Sequence, residues 1–152
     1  MKEARANAIT EIISEERFAG VLSLAEKAEA ANCVGVALSE TTKDEYVDIL
    51  IPDLVSEPNG QLELIRGFVW NRWYPENWDW LDQCIERCPS ASEKAWLLAM
   101  VRAQPQTWER ANKLGSEVEK LYWQRTGGWN LDLDANDTEF LSKSLVLSLI
   151  HI

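Results

Sequence analysis

The sequence predicts an all-α fold in which antiparallel helical hairpins stack as a short α-solenoid. Apolar residues recur at helical spacing along most of the 152 residues, a pattern that is typical of amphipathic helices. Two capping boxes, at Thr42–Glu45 and Ser90–Glu93, mark the starts of helices. Short connections separate roughly eight or nine predicted helices, and such connections favour antiparallel neighbours. An irregular closed helical bundle is the alternative arrangement.

The segment Leu62–Cys88 is the clearest element, because half of the eight tryptophans of the chain lie in it. Its apolar side chains lie at helical spacing on either side of a turn: Leu62, Ile65, Val69 and Trp73 before it, and Trp78, Leu81, Ile85 and Cys88 after it. Pro75 cannot continue a helix, and Asn77 is a favourable N-cap for the next one. The segment therefore predicts an antiparallel helical hairpin. Trp78 is expected to be structural, and Trp78→Ala to cost about 3 to 5 kcal/mol.

Two helices are predicted at the amino terminus. Apolar residues at helical spacing indicate a first helix over Lys2–Ser14. Ser14 is a favourable N-cap for a second helix over Glu15–Ala31, whose first-turn glutamates complement the helix dipole. Residues 33–38 are ambiguous, because their β-branched content suits a short strand whereas the flanking helices favour a helix. We expect a helix there.

One further helix is predicted on either side of the central hairpin. The helix before it covers Asp44–Val55, and Pro52 is expected to kink or restart this helix. Glu57–Gly60 then forms a turn, in which a glycine is available for positive φ. After the hairpin, the capping box at Ser90 begins a helix that ends near Ala103.

The longest predicted helix covers Trp108–Arg125. Thr107 is expected to cap it, and its apolar stripe continues over its whole length. Gly115 lies inside this helix, where glycine costs about 1 kcal/mol relative to alanine, so we expect a close helix crossing at that position. Gly127–Gly128 stops the helix, and a last helix is predicted to begin at Asp137.

We expect one helical-repeat domain over residues 1–146, followed by a short tail that is foreign to it. Residues 147–152 read LSLIHI, which is the translation of CTG TCT CTT ATA CAC ATC, the mosaic end of a transposon used to prepare sequencing libraries. Adapter read-through is the expected origin of this tail, and a genuine final helix turn is the alternative. The single histidine, His151, lies in the tail. On this interpretation the domain is truncated at its carboxyl terminus.

Composition and charge disfavour several classes of partner. The formal net charge of −10 disfavours nucleic acid, because contacts with phosphates require lysine and arginine. No uninterrupted apolar run in the sequence is long enough to span a bilayer, and the amino terminus lacks the order of a signal peptide. We therefore expect no membrane partner and a cytoplasmic location. The three cysteines are expected to stay reduced in that location.

Two patterns in the sequence are partial matches to metal sites. Cys84 and Cys88 lie one helical turn apart, which suits two metal-bound thiolates, but a closed zinc site needs further ligands. Buried, reduced thiols are the preferred interpretation. The segment Asp132–Asn136 matches the opening of an EF-hand loop, but Asp137 follows where that loop requires glycine. We therefore expect no metal and no cofactor.

Aromatic and charged side chains of the hairpin form the candidate surface for a partner or ligand. Its members are Arg66, Trp70, Arg72, Asp79 and Trp80. Arginines next to tryptophans stack on a ligand or, more commonly, on the tryptophans themselves. Carboxylates beside tryptophans also occur in sugar-cleaving sites, but helical spacing places Asp79 and Asp82 opposite the apolar stripe, which favours a solvated face. The sequence has no catalytic triad set and no glycine-rich phosphate loop, so we expect no enzymatic activity.

Two stretches, GFVWNRW and TWERANKLGSEVEKLYWQR, resemble α-helical repeat segments of the tetratricopeptide or HEAT type in large prokaryotic multidomain proteins. A unit of helix, turn and helix with paired aromatics also occurs twice, at WNRWYPENWDWL and YWQRTGGWNLDL, which favours a solenoid. The resemblance implies an interaction, scaffold or sensor segment whose partner is another protein or another domain. The alternative function is a small-ligand or enzymatic domain that uses the cluster within residues 66–82.

Overall fold

A computed structural model describes residues 2–42, 50 and 60–126 of the chain. These residues contain α-helices and no strand, which confirms the all-α prediction. The helices are α1 (Lys2–Lys27), α2 (Ala31–Thr42), α3 (Gly60–Trp73), α4 (Trp78–Arg87), α5 (Ala91–Ala99), α6 (Pro105–Lys113) and α7 (Ser116–Arg125). None of these helices has the length and apolar character needed to cross a membrane.

The chain divides into two compact units, of which the first ends at Arg87 and the second begins at Cys88. The first unit contains α1 to α4, and the second contains α5 to α7. The predicted helix over Asp44–Val55 and the predicted segments beyond Thr126 lie outside the described residues. The solenoid arrangement and the single domain over residues 1–146 stay predictions.

The amino-terminal segment α1 consists of two helical parts, as predicted, but the break between them lies at Arg17 and not at Ser14. Arg17 lies at φ 58° and ψ −155°, so the helical path is broken at this residue and resumes after it. Ser14 does not act as an N-cap, because its hydroxyl donates to the Glu11 carbonyl at 2.7 Å. This bond to the preceding turn is the usual alternative for serine inside a helix. The change of direction is therefore made by the backbone of Arg17.

Residues 33–38 lie within α2, which confirms the helical interpretation. This helix contacts α3 backbone to backbone at two glycines. A Cβ placed on Gly35 would lie 1.9 Å from the Leu64 carbonyl oxygen, and one placed on Gly67 would lie 1.9 Å from the Asn32 carbonyl oxygen. Only glycine permits so close an approach of two helices. Beyond the contact, the side-chain amide of Asn71 donates to the Ser39 hydroxyl at 2.7 Å.

The predicted helix, turn and helix of the central segment is confirmed. α3 ends at Trp73, α4 begins at Trp78, and the Tyr74–Pro75 peptide bond in the turn is cis. Asn77 caps α4 as predicted, since its Oδ1 accepts a hydrogen bond from the Trp80 backbone N–H at 3.2 Å. The proline and the N-cap residue of the turn are therefore enough to predict where both helices end.

The second unit begins with the predicted capping box. The backbone N–H and the hydroxyl of Ser90 donate to Glu93 Oε2 at 3.1 and 3.2 Å, so the carboxylate of Glu93 is satisfied although that residue is only 6% exposed. The helix that follows, α5, ends at Ala99 instead of near Ala103. Aromatic side chains fill the space between α6 and α7, where the rings of Trp108 and Trp123 lie 5.9 Å apart.

The prediction of one long helix over Trp108–Arg125 is wrong. Gly115 adopts φ +115°, which ends α6 and separates it from α7. Nothing lies within 4 Å of a Cβ placed on Gly115, so this glycine supplies a backbone conformation and does not mark the expected close crossing. Thr107 is not an N-cap either. It lies inside α6, which begins at Pro105, and its hydroxyl donates to the Arg102 carbonyl at 2.6 Å.

Arg125 connects the end of α7 to the beginning of α5. Its guanidinium donates to the backbone carbonyl of Ser92 through Nη1 and to the Ser92 hydroxyl through Nη2, the latter at 2.7 Å. The same group lies 4.3 Å from the ring centroid of Trp96. Burial lowers the pKa of the Arg125 guanidinium, because removal from water disfavours its charge. The two bonds and the ring contact stabilise the packing of α7 against α5.

Arg125→Lys should lower the free energy of unfolding of the second unit by about 1 to 2 kcal/mol, because an ammonium cannot make two divergent bonds and lie flat on a ring. Urea denaturation followed by circular dichroism measures the change. Arg110→Lys is the matched control, since Arg110 donates a solvent-exposed hydrogen bond to the Gln106 carbonyl of its own helix. Equal losses for the two variants would contradict a specific role for Arg125.

Candidate functional site

The side chains at the end of α3 form a row of contacting aromatic rings that leads from the core to the surface. Trp73 is fully buried, and its ring lies 5.2 Å from Trp78 in an edge arrangement and 5.4 Å from Trp70. Trp70 is half-buried and stacks on Tyr74 at 6.0 Å, with 30° between the ring planes. We call Trp70 and Tyr74 the aromatic platform.

Tyr74 is the exposed end of this platform. Its exposed fraction is 57%, and it is the large apolar side chain that the described residues present to solvent. The backbone N–H of Tyr74 still donates to the Trp70 carbonyl, at 2.8 Å, as in a helix, and its ring stacks on the ring of Trp70. A rigid aromatic ring with one face on the protein and the other in water is a frequent anchor of protein interfaces.

The surroundings of the platform are acidic. Pro75, Glu76, Asn77 and Asp79 are all exposed. No lysine or arginine occurs between Trp73 and Asp79, so the two charged side chains of this stretch, Glu76 in the turn and Asp79 at the start of α4, are carboxylates. The chain as a whole carries a formal charge of −10. The turn therefore presents an aromatic ring beside negative charge.

The structure places the five residues of the predicted surface in different surroundings. Arg72 lies over the ring of Trp80, with 5.5 Å between the guanidinium carbon and the ring centroid. Trp80 is only 8% exposed, so its ring packs inside the protein. Arg66 pairs with Glu63 on its own helix, and burial lowers its pKa while the carboxylate opposes that effect. These arginines are used within the fold, as intramolecular cation–π packing predicts for Arg72.

Two members of the predicted surface remain available to a partner. Asp79 is exposed on the first turn of α4, and Trp70 carries the exposed ring of Tyr74. Tyr74 itself was missed by the sequence reasoning, because it lies outside the helical stripe of apolar residues. Its position directly before a proline in a turn was the available signal, since that proline ends the helix and leaves the aromatic ring at its tip.

Of the two partial metal-site patterns, one lies within the described residues and the other lies outside them. Cys84 and Cys88 are 2% and 4% exposed, and neither forms a disulfide. Within the described residues there is no group of three or more histidine, cysteine or acidic side chains that could hold a metal ion. The EF-hand-like segment that begins at Asp132 and the histidine of the tail lie outside those residues. Cys33, the third thiol, is half-buried in α2.

No protein-family model matches this chain, and neither a curated protein nor a solved structure is significantly similar to it. Its function is therefore inferred from the geometry of its own residues.

Proposed function

We propose that the chain is a protein-interaction module without catalysis of its own, and that the aromatic platform and the acidic turn beside it bind a positively charged segment of a partner protein. The observation that carries this proposal is the exposure of Tyr74, which stacks on Trp70 and is 57% accessible at the tip of a helical hairpin. A scaffold or sensor segment needs such a preformed surface and no reactive group.

The platform is suited to binding because it is already ordered. Trp70 rests on the fully buried Trp73, so the ring of Tyr74 is fixed through two successive aromatic contacts. Binding then costs little side-chain entropy, which elsewhere amounts to about 0.5 to 1.5 kcal/mol for each immobilised flexible side chain. A tyrosine with two rotatable bonds is an efficient anchor for the same reason.

The charge of the turn selects the partner. An arginine or lysine over the face of Tyr74 gains about 0.5 to 1 kcal/mol at an exposed site. The carboxylates of Glu76, in the turn, and Asp79, at the start of α4, are close in the chain and attract the same cation. The formal charge of −10 steers basic segments toward the chain and repels phosphate backbones. A basic peptide segment therefore fits this surface better than a nucleic acid.

The alternative, a small ligand held by the cluster within residues 66–82, receives less support from the same geometry. Arg72 and Trp80 contact each other, and Arg66 pairs with Glu63. These groups stabilise the hairpin, and a ligand that used them would have to replace existing contacts.

Fluorescence anisotropy with two labelled peptides tests the proposal, one of alternating arginine and glycine and one of alternating glutamate and glycine. We expect the purified chain to bind the arginine peptide and not the glutamate peptide. The affinity should fall as salt is raised from about 50 to about 300 mM, because surface charges are screened over shorter distances at higher ionic strength. Tyr74→Ala should weaken binding about fivefold, which corresponds to about 1 kcal/mol.

Charge variants separate a local site from general attraction to an acidic chain. Asp79→Asn should weaken binding of the arginine peptide about twofold to threefold. Glu86→Gln removes the same charge from an exposed position two turns further along α4 and is the matched control. Equal effects of the two variants, or unchanged binding by Tyr74→Ala, would rule out the platform as the site.

A further inference from the structure

The first unit contains an apolar cavity of about 280 Å³ between α1 and α2. Ile9 from the first half of α1 and Leu24 from its second half both line this cavity. In a straight helix their Cα atoms would lie about 22 Å apart, at a rise of about 1.5 Å per residue. The break at Arg17 brings the two halves of α1 together around the cavity, and α2 supplies the remaining wall.

The lining changes from apolar to charged toward the surface. Ile9 and Ala37 are 2% and 4% exposed and form the interior. Arg5 is exposed and alone carries a charge among the described residues that line the cavity. Cys33 and Val34, which also line it, belong to the first turn of α2. Arg5 therefore supplies the positive charge at the rim of the cavity.

We propose that this cavity binds a medium-chain aliphatic carboxylate, with the chain along Ile9, Leu24 and Ala37 and the carboxylate at Arg5. The apolar interior disfavours sugars and nucleotides, because their polar groups would lose hydrogen bonds to water without replacement. The positive rim selects an anion over an alcohol or a cation of the same chain length. This site is separate from the aromatic platform and does not depend on the peptide-binding proposal.

Cys33 provides a direct reporter of occupancy. Its thiol is half-buried in the cavity wall, whereas Cys84 and Cys88 are 2% and 4% exposed. Iodoacetamide should therefore alkylate Cys33 first, and a bound chain should shield it. Mass spectrometry of tryptic peptides gives the alkylation rate at each cysteine of the folded chain separately.

Decanoate, below its micellar concentration, is the probe. At about ten times its dissociation constant it leaves about a tenth of the chain free, so alkylation of Cys33 should slow about tenfold. Decanol and decyltrimethylammonium at the same concentration should protect much less. Equal protection by all three would show non-specific uptake of alkyl chains and overturn the proposal, as would no protection by decanoate.

Three variants localise the ligand. Arg5→Gln should weaken decanoate binding about fivefold and remove its advantage over decanol, whereas Arg110→Gln in the second unit should change neither. Ala8→Trp fills the cavity from an exposed position on α1 and should abolish protection while the helical circular dichroism is retained. Tyr74→Ala should leave protection of Cys33 unchanged. Undiminished protection in both Arg5→Gln and Ala8→Trp would contradict the assignment.

Discussion

Gly35→Ala is expected to lower the free energy of unfolding of the first unit by about 3 kcal/mol, at the upper end of the usual range for overpacking. The added methyl would lie 1.9 Å from the Leu64 carbonyl oxygen and 2.8 Å from the Phe68 backbone nitrogen. These are backbone atoms of α3, which cannot rotate away as a side chain would. The two helices must separate, and the contacts along their whole interface loosen. Urea denaturation followed by circular dichroism gives the loss.

Gly115→Ala is the contrasting control for this prediction. No atom lies within 4 Å of a Cβ at Gly115, so the substitution introduces no clash, but its φ of +115° strains an alanine by about 1 to 3 kcal/mol. A double variant distinguishes the mechanisms further. Gly67→Ala acts at the same helix contact as Gly35→Ala, so their combined loss should be smaller than the sum of the single losses. Gly35→Ala and Gly115→Ala act in different units and should be additive.

The three glycines show what the sequence was able to predict and where it failed. Gly67 and Gly115 lie in stretches with helical periodicity, Gly35 lies in the ambiguous residues 33–38, and the sequence alone assigned a close crossing only to Gly115. The crossing occurs instead at Gly35 and Gly67, while Gly115 breaks its helix. The difference depends on which distant helix approaches each glycine, and helical periodicity does not contain that information.

Helix caps, which are made by residues close together in the chain, were predicted better than helix crossings. Asn77 caps α4 and Ser90 begins α5, because each cap is made between residues three positions apart. The position of the break in α1 was missed, since the sequence places it at Ser14 and a positive φ at Arg17 has no sequence signal. The cavity was missed with it, because the cavity exists only where that break brings the two halves of α1 together. Helical periodicity and capping motifs therefore do not predict sites that depend on backbone strain or on the crossing of distant helices.

Trp73→Ala should be the most destabilising tryptophan substitution in the first unit, with a loss of about 3 to 5 kcal/mol. Trp73 is fully buried and contacts both Trp70 and Trp78. The same magnitude was expected for Trp78→Ala from the sequence, but Trp78 is half-buried. Trp78→Ala is therefore expected to cost about 2 kcal/mol, in proportion to the smaller apolar area that it buries. Urea denaturation of both variants, followed by circular dichroism, tests the order.

Trp73→Phe distinguishes the contribution of the buried aromatic ring from that of the polar indole nitrogen. The indole Nε1 of Trp73 is buried without a hydrogen-bond partner among the described residues. Its removal therefore breaks no bond and relieves the cost of burying a polar group, which offsets part of the lost volume. Trp73→Phe should cost about 1 kcal/mol and should retain binding of the arginine peptide, because Trp70 and Tyr74 keep their support. A loss as large as that of Trp73→Ala, or a larger loss for Trp78→Ala, would show that the aromatic row is not centred on Trp73.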